Sequence, residues 1–120
     1  MFDILLSGCT ATLVIHIDAD PKRVYVCWVG DSLFTMCSKT NIPRPNFNDI
    51  NLLHQPKNPK EKYRIYNSRG EIRETRDGNE RVFLRARMYP AIKITRSIGD
   101  LIAHQVGVTS EPDFLKIDVS

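Results

Sequence analysis

From Thr10 to Ile17 the chain is rich in β-branched residues, which pack well on a pleated surface, and the stretch predicts a strand. Asp18-Ala19-Asp20-Pro21-Lys22 reads as a turn, with Pro21 ending the ladder. Arg23 to Val29 alternates and then runs apolar through Val24, Val26 and Trp28, predicting a strand antiparallel to the first. Gly30-Asp31-Ser32 breaks that strand, and Leu33 to Cys37 predicts a third. Three adjacent strands make a meander, and their apolar density predicts burial on both faces. Trp28, beside Val26 and Val29, is expected in the core.

Lys39 to Phe47 is polar and holds Pro43 and Pro45, so a loop is expected. A helix over Pro59 to Ser68 has the fullest set of signals. Asn58 suits the N-cap, Pro59 the first helical position, and Glu61, three after the cap, completes a capping box; Gly70 supplies the stop. Glu71 to Thr75 and Arg81 to Leu84 flank Asp77-Gly78-Asn79 and predict a hairpin. Arg85 to Pro90 reads as irregular, Ile98 to His104 as a short helix, and Phe114 to Val119 as a final strand. Many strands with one firm helix define an α+β class.

At 120 residues and 42% hydrophobic, the chain fits one domain with a modest core. The net charge of +3 is too mild to imply nucleic acid. From Lys62 to Arg96, however, ten basic residues face four acids, and such a stretch attracts anions such as phosphate. The three cysteines, Cys9, Cys27 and Cys37, cannot all pair among themselves, and reduced thiols in a cytoplasmic or nuclear protein are the expectation. No apolar run reaches membrane-spanning length, so no membrane partner is expected.

Three short strings place a Gly beside an Asp or a hydroxyl residue, which is how backbone comes close to a polar site. They are Ser7-Gly8-Cys9-Thr10-Ala11, Val29-Gly30-Asp31-Ser32 and Thr95-Arg96-Ser97-Ile98-Gly99-Asp100, and Glu111-Pro112-Asp113 follows them. In this order, with His54-Gln55-Pro56, Glu61, Arg64-Ile65, Gly70, Tyr89-Pro90 and Val106-Gly107-Val108 between and after them, the chain resembles the metal-dependent protein phosphatases, the type 2C serine/threonine family. It departs from the family pattern at Cys9, Leu33, Leu53, Gln55, Arg69, Ala91 and Thr95, where Thr, Arg, Asp, Lys, Gly, Gly and Ser are usual.

The resemblance covers almost the whole chain and implies one partial phosphatase domain over residues 1–120, a segment of an α-β-β-α sandwich of antiparallel sheets. It implies hydrolysis of phosphoserine and phosphothreonine by a water activated under two Mg or Mn ions. The acidic strings that hold most of that metal, the phosphate-binding Arg and the general-acid His of the family are absent from these 120 residues, so no catalytic residue is assigned. Met1-Phe2-Asp3-Ile4 runs directly into a strand, a hint of truncation. The chain alone is expected to bind no metal tightly and to be inactive. Its implied partners are a phosphoprotein substrate and the remainder of the phosphatase domain, in the same or a partner chain.

Asp31 alone matches a position associated with metal in the family, and an Asp after Gly at a strand end also caps its own turn. Gly30, Ser32, Arg96, Gly99 and Asp100 belong to the motif framework; an Arg96–Asp100 pair reads either as shaping the site or as a local ion pair. His54 reads as structural. The family places a flap beside the active site, here roughly residues 72–93, which coincides with the basic stretch. Arg73, Arg76, Arg81, Arg85 and Arg87 are therefore candidates for meeting substrate, against the alternative of a solvated face. The alternative function is a catalytically inactive phosphatase-like scaffold or regulator.

Overall fold

The computed structural model describes residues 3–36 and 52–119. Strand β1 (Gly8–Cys9) leads into β2 (Ala11–His16) and β3 (Arg23–Val29). After helix α1 (Pro59–Asn67) come β4 (Glu71–Glu74), β5 (Glu80–Phe83), β6 (Pro90–Ile92) and β7 (Ile98–Gly99), then the short helix α2 (Leu101–His104) and β8 (Asp113–Asp118). They form three antiparallel sheets, ordered β1-β7, β2-β3-β8 and β4-β5-β6.

The first hairpin forms where its pattern places it, with Ala11 opposite Val29 and His16 opposite Val24. Its third strand does not. Leu33 to Met36 is not extended into a strand, and β8, from the far end of the chain, takes the place beside β3. Two features explain this. Gly30 turns the chain at φ 102°, and Phe34 and Met36 then pack onto the Val26–Trp28–Ile117 cluster instead of continuing a ladder. Cys37 and the loop expected over Lys39 to Phe47 lie outside the described residues.

Burial on both faces is also corrected. One face of β3 and β8 carries Val24, Val26, Trp28, Leu115 and Ile117 into that cluster. The other leaves Leu13, Ile15 and Phe114 at 42–64% exposure, with Tyr25 and Phe114 stacked at 6.0 Å. A second core joins Ile65 of α1 to Val82 of β5 and to Ala103, Val106 and Val108, with Ile72 and Ile92 against it.

Asn58 caps α1 as expected, its side chain accepting the Lys60 N–H at 3.0 Å. Glu61 does not complete a capping box; its carboxylate turns inward, as described below. At the other end Arg69 takes the left-handed conformation, φ 63°, that a glycine there would adopt freely. Gly70 serves by closeness, since a Cβ on it would lie 2.7 Å from the Ile65 side chain. The helix expected over Ile98 to His104 begins late, because Ile98 and Gly99 pair with Cys9 and Gly8. Pro90, expected in irregular chain, opens β6.

Candidate functional site

A buried carboxylate anchors the site. Glu61, 1% exposed, receives a two-pronged guanidinium from Arg64 at 2.8 and 2.6 Å, one turn along α1. Arg96 approaches the same carboxylate at 2.8 Å, and the Thr95 hydroxyl donates to it at 2.6 Å. Burial pushes the Glu61 carboxyl up, but these donors outweigh it and hold the group at about 2. Arg64 also donates to the carbonyls of Thr95 and Gly107 at 2.9 and 2.8 Å, so its planar fork serves carboxylate and backbone together.

Arg96 extends the network outward. Its Nη1 donates to the Asp113 carboxylate and to the Glu111 carbonyl, each at 2.9 Å. The other Asp113 oxygen lies 3.1 Å from His54 Nε2. Burial opposes ionisation of Asp113, yet His54 and Arg96 together hold it below its ordinary range. His54 is fully buried, its ring stacked on Trp28 at 5.9 Å and 13°. Its Nδ1 accepts the Gly30 N–H at 2.9 Å, and its own N–H donates to the Gly30 carbonyl at 3.3 Å. Next to it, Gln55 donates to the Asp31 carboxylate at 2.7 Å.

The motif strings thus meet in one place. Val29-Gly30-Asp31-Ser32, His54-Gln55, Glu61 to Arg64, Thr95-Arg96 and Asp113 are joined side chain to side chain or side chain to backbone. Ser32 closes the near edge, its hydroxyl 2.5 Å from that of Thr10. Gly30 is required there, because a Cβ would sit 2.3 Å from the Thr10 methyl.

Asp100 stands apart. Neither reading of an Arg96–Asp100 pair describes it, since Arg96 is committed to Glu61 and Asp113. Asp100 follows Gly99 through two left-handed residues, donates its N–H to the Ser7 carbonyl at 2.9 Å, and packs against Gly8. Its role is to lock β7 onto β1.

The basic stretch divides. Arg73 lies 3.8 Å over the Phe83 ring and donates to the Arg87 carbonyl, while Arg81 is held by Asp77 and the Ala91 carbonyl, both at 2.9 Å. Arg76, Arg85 and Arg87 are exposed, and their guanidinium groups meet no partner among the described residues. Ile72, Val82 and Ile92 face the core, so the opposite face of this sheet presents a groove of about 510 Å³ lined by Arg73, Arg76, Asp77, Arg81, Phe83 and Met88.

A pair of divalent ions needs several carboxylates within a few ångström. Among the described residues no group of three His, Cys, Asp or Glu side chains is placed to hold a metal, and one Asp31 oxygen is already occupied by Gln55. The described residues do not fit a two-metal centre. The inward turn of Glu61 was the feature least visible beforehand. An acid at the third helical position reads as a cap, and its spacing of three to Arg64 is the signal in the sequence for a pair instead.

The model of the Protein phosphatase 2C family matches residues 3–120, and the chain belongs to that family. Among the described residues, three antiparallel sheets and two helices make an α+β segment of the phosphatase 2C fold. Among solved structures it is similar to a sex determining protein of C. elegans, at 22% identity and a TM-score of 0.62 over 94% of this chain and 23% of that one. It is similar also to the serine-threonine phosphatase 2C of Toxoplasma gondii, at 18% identity and a TM-score of 0.58 over 82% of this chain and 34% of that one. At these identities the likeness is one of fold. The chain spans about a quarter to a third of the length of these two structures. Comparison with curated proteins finds no match.

Proposed function

We propose that residues 1–120 are the central segment of a protein serine/threonine phosphatase domain acting in the cytoplasm or nucleus on phosphoserine and phosphothreonine in proteins. The observation that supports this reading is the chain of contacts Glu61–Arg96–Asp113–His54–Gly30, which ties the family's dispersed strings into one framework. Mg or Mn supplies the activated water in such a domain. Because the described residues do not fit that ion pair, this reading assigns the ions to carboxylates beyond the described residues, in a longer parent chain or a partner.

This segment contributes the framework, the Asp31 carboxylate at its edge, and the Arg-lined face. Arg76, Arg85 and Arg87, free of internal partners among the described residues, are the side chains that meet a phosphoprotein. Arg73 and Arg81 shape the groove between them. Asp31 is the candidate for an additional, weakly held ion.

Sequencing the transcript on both sides of this segment tests the proposal. In-frame acidic strings of the D-G-H-G kind upstream, and D-G and D-N strings downstream, are expected. A transcript without them contradicts the reading of this chain as the centre of a longer phosphatase chain and favours a metal-free scaffold.

A further inference from the structure

His54 uses both ring nitrogens and both of its backbone polar groups. Nδ1 accepts from the Gly30 N–H at 2.9 Å, and Nε2 lies 3.1 Å from Asp113. The backbone N–H donates to the Gly30 carbonyl at 3.3 Å, and the carbonyl accepts from the Thr95 N–H at 2.8 Å. A backbone N–H can meet only a bare ring nitrogen, so the imidazole is neutral with its proton on Nε2, donated to Asp113. Gly30 is gripped at both its N–H and its carbonyl by one residue, and the next residue in each chain segment repeats the contact through Gln55 and Asp31.

We infer that His54 is the positioning residue of the Gly30–Asp31 turn: its Nε2-protonated imidazole fixes where the Asp31 carboxylate stands and couples that position to Asp113 and Arg96. The consequence for Asp31 rests on the phosphatase reading; the clamp itself rests on the geometry. Burial favours the same neutral ring, lowering the His54 pKa from its ordinary value. Trp28 stacks on one face and excludes water, so no solvent competes for Nδ1.

Nitrogen NMR of the wild-type chain at neutral pH reads the tautomer directly. A bare Nδ1 with a protonated Nε2 is expected, and a proton on Nδ1 overturns the inference. Two variants then separate the bonds. His54→Asn offers an amide oxygen where Nδ1 stood, whereas His54→Gln reaches toward Asp113 and offers nothing to Gly30. Exchange of the Gly30 amide is expected to stay slow in His54→Asn and to quicken about tenfold or more in His54→Gln. Equal exchange in the two variants overturns the clamp, and if neither variant folds the wild-type tautomer still decides. Titration with Mn²⁺, read as broadening of the Ser32 amide, separates this from the phosphatase reading. Its absence removes metal binding at Asp31, while the tautomer and the Gly30 exchange continue to decide the clamp.

Discussion

The Arg96 guanidinium lies 2.8 Å from the buried Glu61 carboxylate, and this contact joins two strings that are 35 residues apart in the chain. Arg64 reaches the same carboxylate from within α1. One buried negative charge therefore binds two guanidinium groups that keep partial contact with water, and the carboxylate depends on both. Removing one partner of a buried pair leaves an uncompensated charge, which is more damaging than removing the pair together.

Glu61→Gln is accordingly expected to lower the unfolding free energy by about 3 kcal/mol or more. Glu80→Gln breaks the part-exposed pair with Lys62, 2.8 Å long, and is expected to cost under about 1 kcal/mol. Urea unfolding of both variants measures the contrast. Equal losses contradict the central place given to Glu61.

Acid should unfold the chain in two steps of linkage. The buried His54 has its pKa lowered from 6.5, so the unfolded state takes up a proton first and stability falls as pH drops below that value. Glu61, lowered from 4.5 to about 2, contributes stability that is full above its unfolded value and is lost as pH falls from 4.5 toward 2. That shift corresponds to roughly 3 kcal/mol. Stability against pH, measured by denaturant unfolding, should show a smaller lower step in Glu61→Gln, with Asp113 supplying part of what remains. A profile that rises on acidification contradicts the sign.

Tryptic cleavage should fall unevenly across the basic stretch. Arg73 is stacked on Phe83 and Arg81 is held by Asp77 and Ala91, whereas Arg76, Arg85 and Arg87 lie in exposed turns. Between residues 71 and 92, early cuts are expected after Arg76, Arg85 and Arg87. Early cuts after Arg73 or Arg81 contradict the ordered three-stranded sheet.

Leu13, Ile15 and Phe114 make an uncovered apolar face on a sheet whose edge strands, among the described residues, are β2 and β8. Exposed apolar strands at an open edge favour association. Sedimentation should show the chain self-associating as concentration rises, with Leu13→Lys shifting it toward monomer. A monomer with a sharp, cooperative thermal transition would count against it.

The local elements were legible where a single short-range signal governs them. Asn58 and Pro59 start α1, and β-branched runs form the β2–β3 hairpin. What sequence did not reveal depends on distant partners. β8 displaces the expected third strand because its Leu115 and Ile117 complete the face that Val26 and Trp28 begin. Glu61 forgoes the cap because two guanidinium groups and a hydroxyl bind it more strongly than one backbone N–H. Arg96 leaves Asp100 for the same reason. His54 was read as structural, and its place on Trp28 follows that reading; its grip on Gly30 needed the fold.

Hydrolysis by the 120-residue chain itself tests most directly the claim that it carries the framework without the metal centre. p-Nitrophenyl phosphate and a phosphothreonine peptide, each with millimolar Mn²⁺, are the substrates, with Asp31→Asn as the comparison. Without a two-metal site, water keeps its bulk acidity, and no turnover above background is expected from either protein. Metal-dependent turnover by the wild-type chain that disappears in Asp31→Asn contradicts it.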